Sequence, residues 1–406
     1  MQSEAIMLSI FIMGTKTSLD AGNSSSFKGA RSRLLVGASD PSIRTNNNTT
    51  VKMSVTRGQS AWASTTSTSE TKREVPLSKS LNKKNIEFGQ WVTGVTDGDG
   101  TFHFSEHLPG KWIFYFKIAQ STYNLRLLYH IKAQLGVGEV RVDNSSLLKA
   151  KEKGVIKSLR SPCPCKNVQT MAEFRVRDRQ LLLQHIVPLF DQNRLLTSKY
   201  YNFELFKKAL LVATDTALTK YQKHAMLAEL KNQVRPADYM SPAWSIVNNK
   251  VTSPAEAKKV MTKSWLVGFS EAGGSFYLYT KDANRIAHAF EITPPALALT
   301  VKDGAREKLD KIVLDAAAQL LDIRVRVKKT YFTAYADSLR DISNIIAFFQ
   351  NTMKGMKSIE YRIWARSFNK MKTGTERFVY LTKVRDQLKS IRSIRLDKTF
   401  NRVKRL

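Results

Sequence analysis

Two nine-residue stretches decide the fold: VTGVTDGDG at 92–100 and, 174 residues further on, LVGFSEAGG at 266–274. At that shift Trp91 falls on Trp265, Gly94 on Gly268, Gly100 on Gly274 and Phe102 on Phe276. The exchanges between these anchors are mild: Val92/Leu266, Thr96/Ser270, Asp97/Glu271, Gly98/Ala272 and Thr101/Ser275. Asp99 over Gly273 is different, because it sets an acid against a residue with no side chain. An internal repeat of this kind governs the architecture and has to be found before any single element is assigned.

Each stretch closes a helical pattern. In NIEFGQWVTGVTDGDG (85–100) apolar residues at 88, 91, 92 and 95 mark one helix face, and Gly-Asp-Gly halts it; SPAEAKKVMTKSWLVGFSEAGG (253–274) reads as one capped helix ending in a double glycine. Gly94 with Gly98, and Gly268 with Ala272, set small residues one turn apart, which permits close backbone approach between two helices. If the repeats pair about a pseudo-two-fold axis, these faces meet and the helix ends converge where the next strands begin. An acid at that point can hold a hard divalent cation beside a phosphate.

Outward from the motifs the same order appears twice. TFHF, KWIFYFKIAQ, GEVRVD and AEFRVRD read as strands, YNLRLLYHIKAQLG as a helix between them, and RQLLLQHIVPLF and SKYYNFELFKKALL as closing helices. The second half repeats this with SFYLYT, IAHAFEIT, LDKIVLDAAAQLL, IRVRVKKTYFTAY, ISNIIAFFQNTM and MKSIEYRIWARSFNKM. The expected organisation is a leader at 1–84, a first repeat at 85–213, a linker at 214–254, a second repeat at 255–375 and a basic C-terminal tail at 376–406. The leader is rich in Ser, Thr and Asn, and such a composition buries too little apolar surface to offset the entropy of ordering. Basic and poor in acids, it resembles an organellar transit peptide, with a leader that carries no address as the equal alternative.

The 406 residues carry 65 Lys+Arg against 34 Asp+Glu, a formal charge of +31, in a chain that is 42% hydrophobic. That combination points to a folded protein with a polyanionic partner. No apolar run reaches the ~18 residues of a membrane helix, so no membrane partner is expected. Cys163 and Cys165, in SPCPC, make neither a zinc site nor a disulfide framework. Lys117, Arg141, Arg175 and Arg177 in the first half, and Arg324, Arg326, Lys328 and Lys329 in the second, alternate with apolar residues. One sheet face can thus meet nucleic acid while the other covers helices.

These features resemble the LAGLIDADG family of intron-encoded homing endonucleases and RNA maturases. The likeness covers about 85–375, with the two nine-residue motifs joined by YHIKAQLGVGEV (129–140) and TMKGMKSIEYRIWARSF (352–368). It implies an α+β fold of two pseudo-symmetric αββαββα units, motif helices at the centre and two antiparallel sheets forming a basic saddle over DNA. It further implies Mg²⁺ as cofactor, Asp99 as metal-binding acid, and Gln120 as an active-site residue. The family follows that Gln with a Lys, where this chain has Ser121. Residues 294–307 look like an insertion, which makes Lys308 the displaced equivalent of the missing Lys. Gly273 leaves one of the two family acids absent. The resemblance implies a monomeric, organellar (mitochondrial or plastid) endonuclease that cuts a long asymmetric double-stranded site. A maturase that binds its own group I intron RNA is the second reading, and a DNA-binding regulator without chemistry the third.

Overall fold

The computed structural model describes residues 77–143, 171–236, 238–293, 304–328, 332–370 and 373–393. Lys329, Cys163, Cys165, residues 294–303 and most of the leader lie outside them, as do 394–406. The first repeat runs α1 (Leu77–Asp99), β1 (Gly100–Leu108), β2 (Lys111–Ser121), α2 (Leu125–Leu135), β3 (Glu139–Asp143) and β4 (Met171–Val176). A helical segment α3 follows, made of Arg179–Leu181, a π turn at Leu182–Ile186 and Val187–Gln192; then come α4 (Lys199–Thr214) and α5 (Lys220–Asn232). The second repeat runs α6 (Pro254–Val260), α7 (Lys263–Gly273), β5 (Gly274–Asp282), β6 (Arg285–Ile292), α8 (Gly304–Leu321), β7 (Arg324–Val327) and β8 (Phe332–Ala336). It closes with α9 (Leu339–Phe349), α10 (Lys357–Phe368) and α11 (Gly374–Ser393).

The fold is α+β, with two four-stranded antiparallel sheets ordered β1-β2-β4-β3 and β5-β6-β8-β7. Strand alternation explains how each sheet serves two purposes. In β1 and β2, Phe102, Phe104, Phe114, Phe116 and Ile118 point to the buried side, and Thr101, His103, Tyr115 and Lys117 to the other. Each core is centred on the phenylalanine two residues past its motif. Phe102 packs against Phe116, Phe190, Phe203 and Phe206, with centroids 5.1 to 5.7 Å away. Phe276 does the same with Phe290, Phe349, Tyr361 and Trp364 at 4.9 to 5.7 Å.

Three elements differ from the sequence reading. The segment read as one helix over 253–274 is two, because Ser253 and Thr262 each cap a new start and Met261 between them is extended. Met261 turns its side chain into the core, 1% exposed, and that burial fixes the break. Helix α1 begins at Leu77, ahead of the boundary placed at Asn85. The stretch expected as a basic tail is, over its described part, helix α11. Its Leu381, Val384 and Leu388 recur at helical spacing and are buried against β5, β6 and α10. The linker contains α5, started by a capping box of Thr219 and Gln222, and a 3₁₀ turn at Pro242–Val247. That turn is pinned to the first repeat: Trp244 Nε1 donates to Leu196 O at 2.8 Å and Ser241 Oγ to Leu195 O at 2.5 Å.

Helices α1 and α7 lie along each other at the centre. A Cβ built on Gly94 would collide with the carbonyl oxygen of Trp265, and one on Gly268 with that of Trp91. At Gly98 it would meet the Cβ of Ala272. The obstacles at Gly94 and Gly268 are backbone atoms, which cannot step aside as a flexible side chain can. Gly94→Ala should therefore force the helices apart and destabilise the protein by at least about 1–3 kcal/mol, the usual cost of overpacking. Urea unfolding of the variant against wild type measures it, and an unchanged midpoint would show that the interface yields.

Candidate active site at the paired helix ends

The ends of α1 and α7 are held by two acids in the helix bodies, each bound across the interface to the other repeat's tryptophan. Trp265 Nε1 donates to Asp97 Oδ2 at 2.9 Å, and Trp91 Nε1 to Glu271 Oε1 at 3.2 Å. Each acid also receives two consecutive backbone N–H groups from a loop of its own repeat. Asp97 takes Leu196 N at 2.8 Å and Thr197 N at 3.1 Å, and Glu271 takes Lys354 N and Gly355 N, both at 2.6 Å. Thr197 Oγ1 adds a further bond to Asp97 at 2.5 Å. Burial pushes both carboxyls above their usual range, and these donors pull them back. Glu271 is thus committed to the scaffold and does not stand at the tip in place of the missing acid.

Just beyond each acid a lysine closes the helix. Lys199, first in α4, donates to Thr96 O at 3.1 Å and Gly98 O at 2.6 Å; Lys357, first in α10, donates to Ser270 O at 3.2 Å and Ala272 O at 3.0 Å. A cation on the last carbonyls of a helix answers the negative end of its dipole. Burial pushes the Lys357 amine down to about 8, against the pull of Asp99, Glu360 and Glu271. The sequence reading missed both lysines, although a second register reveals them: NRLLTSK (193–199) and NTMKGMK (351–357) stand 158 residues apart, with Asn, an apolar residue and Lys at matching positions.

Asp99 is the last residue of α1, half-buried, with Lys199 and Lys357 drawing its carboxyl down against a larger upward push from burial. Gln120, the penultimate residue of β2 and buried, donates through Nε2 to Asp99 Oδ2. Asn124 donates to Gln120 Oε1 at 3.1 Å. Asp99 and Gln120 therefore stand together. At the other tip Gly273 occupies the matching place, and its carbonyl accepts from Thr293 N at 3.4 Å. Lys308 lies on α8, which packs on α6, α9, β7 and β8; its side chain is outside the described residues. Among the described residues no cluster of three His, Cys, Asp or Glu forms a closed metal cage.

The strand cations lie on the sheet faces away from the core, and six of them already have acidic partners. Glu173 holds Lys117 at 3.6 Å and Arg175 at 2.6 Å, and Glu139 holds Arg141 at 2.7 Å. Asp337 holds Arg324 at 2.6 Å and Arg326 at 3.1 Å, and Glu291 holds Lys328 at 2.6 Å. Arg177 is exposed just after β4. Aromatic rings brace the cations from below: Arg175 lies 4.8 Å over Tyr115 and Arg326 3.5 Å over Tyr335.

Comparisons place this arrangement in a known class. The fold is that of LAGLIDADG meganucleases. It matches I-AabMI solved with uncleaved DNA (TM-score 0.52, 17% identity, 73% of this chain and 98% of that one) and I-LtrWI solved with target DNA (0.54, 20%, 75% and 98%). I-SmaMI with DNA aligns similarly (0.53, 20%, 74% and 97%). In sequence, the chain is 31% identical over 326 residues to the Schizosaccharomyces pombe protein described as probable intron-encoded endonuclease Cox1-I1b, covering 77% of this chain and 71% of that one. It is 26% identical over 201 residues to the Saccharomyces cerevisiae uncharacterized mitochondrial protein RF1, of which it spans 34%. No family model matches the chain. The chain belongs to the LAGLIDADG homing endonuclease family.

The depressed Lys357 makes stability depend on pH in a defined direction. Below about pH 8 the native state holds a buried ammonium, and above the unfolded value of 10.5 neither state is charged. Wild type should therefore gain on Lys357→Met as pH rises from about 8 toward 10.5, by at most about 3 kcal/mol. Urea midpoints of the two proteins across that range read the difference, and parallel curves would place Lys357 in water.

Proposed function

We propose that this protein is a site-specific DNA endonuclease of the intron-homing type, which binds a long asymmetric duplex as a monomer and cuts one strand much faster than the other. The observation that carries the reading is the single tip acid. Two repeats converge with every scaffold element doubled, acid, tryptophan and lysine alike, yet only α1 ends in a carboxylate, Asp99.

The donor set around Asp99 suits Mg²⁺, which binds through one or two carboxylates together with substrate phosphate and water. One Asp99 oxygen takes the Gln120 amide, and burial raises the carboxyl above its usual range despite the two lysines, a cost that a hard cation would offset. When bound there, the ion would activate water and offset charge on the phosphate. The protein's own residues do the rest. Gln120 holds Asp99 in orientation, and Lys199 and Lys357 flank it with positive charge where a scissile phosphate has to lie. At the second tip Gly273 supplies no side chain. The relative described as mitochondrial and the leader's composition support a mitochondrial location. Gly273 also favours a second reading, a maturase that binds intron RNA without cutting DNA.

Cleavage of supercoiled plasmid carrying the uninterrupted exon junction, with Mg²⁺, tests the proposal. Wild type should accumulate nicked circles. Asp99→Asn should abolish cleavage and spare binding, and Gly273→Asp should shift the product toward linear DNA. Rapid double-strand cutting by wild type would remove the asymmetric mechanism, while splicing help without any cutting would select the maturase. Binding should weaken by about 10³–10⁵ between 50 and 200 mM salt if ~6–10 phosphates are engaged.

A further inference from the structure

We propose that Asn124 is a positioning residue through which the second repeat sets the orientation of the one catalytic acid in the first. The inference rests on the endonuclease reading of Asp99. Asn124 stands at the N-cap of α2, a place where Asn ordinarily spends its side chain on the helix's own N–H groups, yet here it makes no capping bond. It is 4% exposed, and both ends of its amide are used elsewhere. Oδ1 accepts from the backbone N–H of Met356 in the other repeat at 2.9 Å, and Nδ2 donates to Gln120 Oε1 at 3.1 Å.

The polarity of this chain follows from its first member. A backbone N–H can only donate, so Asn124 has to face Met356 with its oxygen and Gln120 with its nitrogen. Gln120 must then present its oxygen to Asn124 and its own amino group to Asp99, the one orientation in which it supports a carboxylate. The direction of both amides is therefore set by a peptide group across the interface. Met356 adjoins Lys357, which closes α7, and Gly355, which binds Glu271. A Cβ on Gly355 would lie 2.5 Å from Asn124 Oδ1 and 2.7 Å from Glu271 Oε2, so the relay needs glycine there. At the matching place in the first repeat stands Thr197, whose hydroxyl is spent on Asp97. The relay thus runs toward the tip that has an acid.

Asn124→Asp tests the polarity. The new carboxylate still accepts from Met356 but can no longer donate to Gln120, which has to turn its amide over and set its oxygen against Asp99. Asn124→Ala releases Gln120 without reversing it. The single-turnover nicking rate should fall about 10–100-fold for Asn124→Asp, as for other partners that orient a metal-binding residue, and less for Asn124→Ala. Affinity for the same duplex, measured without divalent metal, should stay within about twofold for both. A packing role predicts the opposite order, because Asp matches Asn in shape and Ala leaves a hole; that order, or an unchanged Asn124→Asp rate beside an active wild type, overturns the relay. A wild type that does not nick at all overturns the endonuclease reading, and the relay's role in catalysis with it.

Discussion

The structure depends on one contact, the backbone of α1 against the backbone of α7. Helices normally keep 8–10 Å between axes because side chains intervene. Here Gly94 faces the Trp265 carbonyl and Gly268 the Trp91 carbonyl, leaving no room for even one carbon atom. At this spacing each tryptophan reaches past its own helix to the acid of the other. The Trp91–Glu271 and Trp265–Asp97 bonds then fix rotation and register together. The lysines, which reach the last carbonyls of each helix from α4 and α10, make the position of each tip a property of the whole repeat.

Much of this was legible in the sequence. The repeat, the motif helices, the sheets and the small-residue faces follow from a shift of 174 and from alternation, because a doubled pattern is evidence that no single element provides. The scaffold was harder to read. Asp97 and Glu271 look like charges in a helix body, and nothing local says that each is met by the other half's indole and by a loop some 80 to 100 residues away. The partners of those loops follow a second register of 158, since insertions and deletions between strands and closing helices change the spacing. The break at Met261 was hidden because the apolar pattern continues through it, and α11 because its two buried leucines and one valine are thinly spread among cations.

Charge tells a similar story. Alternation showed which strand residues share a face, Glu173 and Arg175 of β4 among them, but the sequence offered no means of pairing Glu173 with Lys117, or Asp337 with Arg324 and Arg326, because those partners lie on or beside a neighbouring strand. These pairs leave the faces far less positive than a count of Lys and Arg suggests. They also hold the guanidinium groups in defined places, at a modest energetic return for exposed pairs. A polyanion that settles there has to exchange phosphate or base contacts for existing ones, so the faces favour groups that match their geometry over a uniform rod of charge.

The body position and the tip position of the motif have separable duties, and this explains how Gly273 can be tolerated. Asp97 and Glu271 carry the cross-interface bonds, and both halves keep one. Among the described residues the Asp99 carboxylate bonds Gln120 and receives no backbone N–H or indole, and Gly273 needs only its backbone to turn from helix into strand. Loss of the acid at one tip therefore leaves a pair of repeats that still fold, still converge and still present lysines at both ends. On the proposed reading, what disappears is one site of chemistry. A doubled architecture with a single acid is then a stable state of this fold, and the relay through Asn124 stands on the side that kept its acid.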